Sequence, residues 1–242
     1  MTAAAGAVPA YLGPQLGAVP ALGELPDRAA VAEAAPQLVL ATPGTAKSVK
    51  ALRDSGALGA ARVVTVQADD PTEHRYYRNW RTVFTEVAEA LNRTAAGAER
   101  LQEFDAEAAR AGRRMDASHN QVSLVRFTTV SGIDAEDLQG TDNFGASIMG
   151  LVGVQRPASQ RRTGPVSIDD ATFADADGDL ILVSAADRRA LEHAESVLES
   201  DEWLDLGAPS WGRVFWIDDE IWYRSSGLAA AWLVLNDLKS SV

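Results

Sequence analysis

Two α/β lobes joined by a long helix is the fold class this sequence predicts, and three observations predict it. A strand–helix–strand alternation occupies residues 37–67, a helical tract of strongly charged composition follows, and a second alternation runs from Val122 to Lys239. Alternation of this kind belongs to parallel α/β layers. With 242 residues, 46% of them hydrophobic, the chain can build one large or two small cores.

Taken in order, residues 1–25 are rich in Ala, Gly and Pro and read as loop. Pro26 to Ala35 is a short helix with Pro26 and Asp27 near its start, closed by Pro36. Gln37–Thr42 is a strand and Thr45–Leu58 a helix. Ala61–Gln67 (ARVVTVQ) is a second strand, apolar on successive positions as in a strand covered on both faces. In the tract RYYRNWRTVFTEVAEALNR, Trp80, Val83, Phe84, Val87 and Leu91 fall at helical spacing and mark one buried face. Asn92–Thr94 interrupts it, with Thr94 capping a second helix that reaches Ala111. Such a helix, about 18 residues long, spans roughly 27 Å. Its charged positions, Glu99, Arg100, Glu103, Asp105, Glu107 and Arg110, suit a helix lying across two bodies. Beyond it come strand Val122–Thr128, helix Phe144–Val152, strand Leu180–Ser184, helix Arg188–Leu198, strand Val214–Ile217 and helix Ser226–Lys239. The expected division is a first lobe at 1–93, the joining helix at 94–117 and a second lobe at 118–242.

A formal charge of −12, spread along the chain, repels phosphate backbones and argues against nucleic acid as a partner. The absence of cysteine excludes disulfides, thiolate metal sites and thiol nucleophiles within this sequence. No apolar run approaches the roughly 20 residues that cross a bilayer. The start, MTAAAGAVPAYLG, lacks the basic opening and apolar core of a signal peptide.

The stretch LVLATPGTAKSVKAL, Leu38 to Leu52, has the layout of a phosphate-binding loop, but Ala41 and Ala46 stand where that loop needs glycines. Only Lys47-Ser48 match, so the segment reads as a plain strand-to-helix turn. DADGD at 175–179 places Gly178 fourth rather than sixth for a calcium loop and runs into a strand. GASIMG at 145–150 has Met149 where a nucleophile elbow needs glycine. His74, His119 and His193 are scattered, without metal-ligand or catalytic spacing. These absences argue against an enzyme. What remains is arginine beside large rings near strand ends: Arg75-Tyr76-Tyr77, Arg126-Phe127, Arg161-Arg162 and Trp222-Tyr223-Arg224. Guanidinium donors with aromatic faces suit a flat or chelate-like anionic ligand.

The chain resembles the iron-siderophore substrate-binding proteins of ABC importers, the FecB/FhuD-like class III periplasmic binding proteins, and among them the actinobacterial type. The resemblance is carried by the strand entry PQLVL (36–40) and by Trp80 opening the RTVFTEVAEALNR helix. It continues through VSLVRFT, TDNFGASIMGLVGVQRPASQR, LILV, SDEWLDLGAPSWGRVFWIDDEIWY and GLAAAWLVLNDL, and covers Tyr11 to Leu238. It implies two lobes that close only slightly on a ferric siderophore, with the Pro43-Gly44 loop on the rim of the groove. The ligand-binding residues it implies are Arg126, Phe127, Phe144, Arg161, Trp222, Tyr223, Tyr76, Tyr77, Trp80 and Thr42, with no catalytic residue, resident cofactor or metal. It further implies a monomeric extracytoplasmic protein, membrane-anchored in its full-length form, that delivers the iron chelate to an ABC permease. Haem is an alternative ligand, with Tyr76, Tyr77, Tyr223 or His74 as its axial ligand, and a non-binding, truncated paralogue is a third reading. Members normally begin with a further strand–helix–strand, a signal peptide and a lipid-bearing Cys. The chain is therefore expected to be shortened, its first lobe holding about two strands rather than the roughly three that stand alone. The Glu with which many members dock the permease falls near Ala29, with Asp27 or Glu33 as substitutes.

Overall fold

The computed structural model describes residues 10–13, 27–67 and 80–241, and the chain forms two compact units, Met1–Ala68 and Asp69–Val242.

In the first unit, α1 (Arg28–Ala34) is capped by Asp27, whose carboxylate accepts from the Ala30 amide at 2.7 Å. Ala35 ends it in the left-handed region at φ 42°. The parallel pair β1 (Leu38–Ala41) and β2 (Arg62–Thr65) flanks α2 (Ala46–Asp54). Val31, Ala57 and Leu58 form a small core with Val39, Val49, Leu52 and Val63 packed on it. Between β1 and α2 the Pro43–Thr45 turn closes on itself: the Thr42 amide donates to Thr45 Oγ1 at 2.9 Å, and the Thr45 amide donates to the Thr42 carbonyl at 3.0 Å. Those amides face inward rather than toward a phosphate, in keeping with the missing glycines.

The second unit centres on a five-stranded sheet in the order β5-β4-β3-β6-β7. Strands β3 (Val122–Val130), β6 (Leu180–Ala185) and β7 (Val214–Trp216) run parallel. Strands β4 (Ile133–Leu138) and β5 (Val166–Ile168) are antiparallel additions on the other side of β3. Neither is among the strands that the apolar pattern predicts. Both positions of the β3–β4 turn have positive φ, Ser131 at 53° and Gly132 at 80°. That is the two-residue turn whose twist matches a hairpin. β4 reads IDAEDL because only Leu138 is fully buried, so its apolar signal is weak.

The pleat of β3 divides the core. Val125 and Phe127 face one side, with Ile181 and Val183 of β6, and are covered by α6 (Arg188–Leu198) and the single turns α7 (Asp201–Leu204) and α8 (Gly207–Ser210). Alternate residues Leu124 and Arg126 face the opposite side, where α3 (Trp80–Ala90), α4 (Thr94–Arg114), α5 (Phe144–Val152) and α9 (Leu228–Ser240) pack together. Asn143 caps α5 through the Ala146 amide at 2.8 Å, and Gly153 ends it at φ 90°.

The unit boundary falls ahead of residue 80, not at 93/94 as expected. Trp80 meets Phe104 of α4 edge-to-face at 6.0 Å, and Gly97 of α4 lies so close to Ala88 of α3 that a Cβ there would sit 2.7 Å from the alanine methyl. These contacts pull α3 and α4 into the second unit, where α4 buries Phe104, Ala108 and Ala111 despite its charged outer face. Its amino end is also one residue different. Arg93 holds the cap position with no side-chain bond, and Thr94 is already helical.

Gly112 of α4 is packed beneath the carboxyl end of α5, where an added Cβ would stand 2.1 Å from the Val152 carbonyl oxygen. Gly112→Ala is therefore expected to destabilise the protein by about 1–3 kcal/mol or more. Urea unfolding followed by far-UV circular dichroism measures it, with Gly150→Ala as the neutral comparison because nothing lies within 4 Å of its Cβ position.

Candidate functional site

Parallel strands deliver their carboxyl ends to one edge of the sheet, and the chain leaves β3 toward β4 on one side and returns to β6 on the other. Open α/β sheets bind ligands at such a reversal. Here the register sets Arg126 of β3 opposite Ser184 of β6. The segment after β7 folds over them as a π turn, Glu220–Arg224, nucleated by Asp218, whose carboxylate accepts from the Glu220 and Ile221 amides at 2.8 and 3.2 Å.

Asp219 lies at the centre. It is 6% exposed, and its two oxygens accept from Arg126 Nε at 2.6 Å and Arg126 Nη2 at 2.9 Å. Ser184 Oγ donates to it at 3.3 Å, and Arg224 Nε stands 3.6 Å away. The guanidinium of Arg126 also lies over the Tyr223 ring at 4.7 Å. Burial pushes the Tyr223 hydroxyl above the usual phenol range, opposed by the positive charges of Arg156 and Arg126.

Beyond this pair opens a groove of about 370 Å³, within the range of small-molecule sites. Its apolar wall comprises Trp216, Ile217 and Leu191, and its polar rim includes Asp187, Arg188, Glu220 and Arg224. Trp216 is 48% exposed, so its indole is available to stack on a ligand. Asp187 caps α6 through the Ala190 amide at 2.9 Å.

The structure distributes the residues predicted from sequence unequally. Arg126 and Tyr223 come together as described. Arg161 is exposed on its loop and donates from Nε to the Arg156 carbonyl at 2.8 Å. Thr42 belongs to the first unit and braces its own turn. Tyr76, Tyr77 and His74 lie outside the described residues. Phe127 is a correction: the pleat turns it to the opposite face from Arg126, where it is fully buried edge-to-face with His193 at 5.9 Å. Phe144 and Trp80 are also core residues, packed against each other at 6.3 Å. Trp222 has no exposed surface. Its ring covers Gly145 of α5, and its indole N–H donates to Asp237 of α9 at 2.8 Å. All four rings hold the layers beneath the site rather than touching what enters the groove.

Sequence reasoning missed Asp219, Ser184, Arg188, Leu191 and Trp216. The carboxylate–arginine pair joins residues 93 positions apart, a relation no local pattern carries. It also missed Arg156, a buried guanidinium bonded to the Gln139 carbonyl at 2.7 Å and to Gln160 Oε1. Burial brings its pKa down to about 10, which leaves it charged at neutral pH. Gln160 completes the network, accepting from the Leu124 amide at 2.9 Å and donating to Ser123 Oγ at 2.5 Å.

The sequence profile of periplasmic binding proteins matches residues 23–221. The chain belongs to that family. The Probable siderophore-binding lipoprotein YfiY of Bacillus subtilis is 27% identical over 175 residues, which cover 67% of this chain and 53% of that protein. This chain thus spans about half the length of that relative. Among solved structures, Staphylococcus aureus SirA complexed with staphyloferrin B superposes with a TM-score of 0.70 at 17% identity, covering 96% of this chain and 80% of SirA. The petrobactin-binding protein YclQ of Bacillus subtilis gives 0.71 at 17%, covering 97% and 81%. At these identities the likeness is one of fold, and the fold is the class III arrangement that the family resemblance implied.

Two measurements check the site's architecture. Arg126→Ala is expected to cost about 3 kcal/mol, because it leaves the Asp219 carboxylate buried without its main partner; denaturant unfolding reads it out. Burial raises the Asp237 pKa, against the Trp222 hydrogen bond that lowers it. The native state therefore holds this proton more tightly than the unfolded chain, and stability falls as pH rises past the ordinary aspartate range. Asp237→Asn keeps an acceptor for Trp222 and should remove that part of the decline in Tm between acidic and neutral pH.

Proposed function

We propose that this chain is the solute-binding component of an iron importer, capturing a ferric siderophore outside the cytoplasm and presenting it to an ABC permease. The observation that supports this most directly is the groove at the carboxyl ends of β6 and β7, which sets an exposed indole, Trp216, beside guanidinium groups. That chemistry matches the two parts of an iron chelate. Arginine N–H groups donate to the oxygens that surround the metal, and the aromatic and aliphatic wall packs the organic shell. Support comes also from the family and from a relative whose name describes siderophore binding. On this reading Arg224, Arg188 and Trp216 contact the ligand, Arg126 backs them by holding the Asp219 turn in place, and Arg161 contributes from its loop. Binding is non-covalent, and the chain acts without a resident cofactor. Like its lipoprotein relative, the protein acts at the membrane surface.

Titration with ferric trihydroxamate, ferric tricatecholate and haem, followed by tryptophan fluorescence, tests the proposal. Saturable quenching by a ferric siderophore supports it, and flat titrations with every siderophore reject it. Trp216→Phe is expected to remove a large share of the quenching while preserving binding by calorimetry. Arg224→Ala should weaken binding about tenfold, the loss of one hydrogen bond from a partly exposed charged donor.

A further inference from the structure

Resting on the capture proposal, we infer that the groove selects for an uncharged ferric chelate, a trihydroxamate, and discriminates against trianionic tricatecholates. The groove's own charges point there. Among the described residues its lining carries four carboxylates, Asp187, Asp218, Asp219 and Glu220, against two guanidiniums, Arg188 and Arg224. Adding Arg126 behind them leaves an excess of one negative charge, and adding the buried Arg156 brings the sum only to zero.

The arginine best placed to receive an anion is already engaged. Arg126 is bonded through two nitrogens to both oxygens of Asp219, and its face lies on the Tyr223 ring. Releasing it would strand a carboxylate that is 6% exposed. The amino terminus of α6, which opens on the groove and would attract an anion through its unpaired amides, is occupied by Asp187. Over the whole chain the formal charge is −12, so the longer-range field repels an anion as well.

Chelate chemistry supplies the other half. Each hydroxamate binds iron as a monoanion, so three of them neutralise Fe³⁺. Each catecholate binds as a dianion, so three leave a net charge of −3. A groove that is not positive rejects the second by unfavourable charge, and its indole and aliphatic wall still pack the first.

The test is a fluorescence titration of the full chain at low and high ionic strength. The probes are two uncharged trihydroxamates of different backbone, ferrichrome and ferrioxamine E, and ferric enterobactin as the trianion. The expected result is at least one trihydroxamate binding about tenfold or more tighter than ferric enterobactin at low salt. The margin should narrow as salt screens the repulsion. Glu220→Gln should narrow it further, by strengthening only the anion. Asp219→Asn should do the same by loosening Arg126, but that variant also removes the charge that holds the turn, so Glu220→Gln alone suffices to judge. Ferric enterobactin binding as tightly as the trihydroxamates at low salt, or a ratio unmoved by Glu220→Gln, overturns the inference while capture stands. Silence from all three chelates overturns both.

Discussion

The bidentate pair between Arg126 and Asp219 is the interaction on which the second unit's binding edge depends. It joins the middle of the sheet to the turn after its last strand, across β6, and Ser184 of that strand adds its hydroxyl to the same carboxylate. A carboxylate this buried is stable only with such partners, so the turn cannot lift away without leaving it unpaired. The π geometry of 220–224 follows from the same constraint. It tucks Trp222 and Tyr223 inward while Arg224 projects outward, 57% exposed, on the rim. Turns of this kind recur where a helix must re-aim side chains at a site.

Beneath that edge the architecture is stiff. Trp222 is wedged over Gly145, where even a methyl group would collide, and is tied to α9 through Asp237. Gly97 and Gly112 let α3, α4 and α5 approach closely enough for Trp80, Phe104 and Phe144 to interlock edge-to-face. A floor held by close-packed rings and backbone contacts does not deform gradually, so the groove above it is largely preformed. The residues that shape binding and those that maintain the fold are therefore different sets. Most of the large rings near the site belong to the second.

Much of the secondary structure was legible in the chain. Helices 144–152 and 188–198 and strands 122–130, 180–185 and 214–216 match their apolar periodicity to within two residues, because tertiary packing there reinforces local preference. The antiparallel strands β4 and β5 were not legible. Acidic residues dominate β4, and its pairing with β3 depends on a two-residue turn rather than on its own side chains. The candidate site was legible only in outline. Of the arginine–aromatic stretches, 222–224 reaches the groove and 126–127 lies behind it, yet the sequence could not tell Arg126 from its neighbour Phe127, which the pleat sends to the other face of the sheet.

By itself the sequence determined the α/β alternation, the long helix after Asn92, the lack of a phosphate-loop or nucleophile-elbow motif, and the resemblance to periplasmic binding proteins that the family match bears out. These are properties of short windows and of residue order, which periodicity and motif spacing record directly. Tertiary structure alone decided that α3 and α4 belong with the second unit, that Trp222 and Phe144 are buried supports, and that Asp219 neutralises Arg126. Those outcomes come from close approach and charge pairing between residues tens of positions apart, and such distances exist only once the chain has folded.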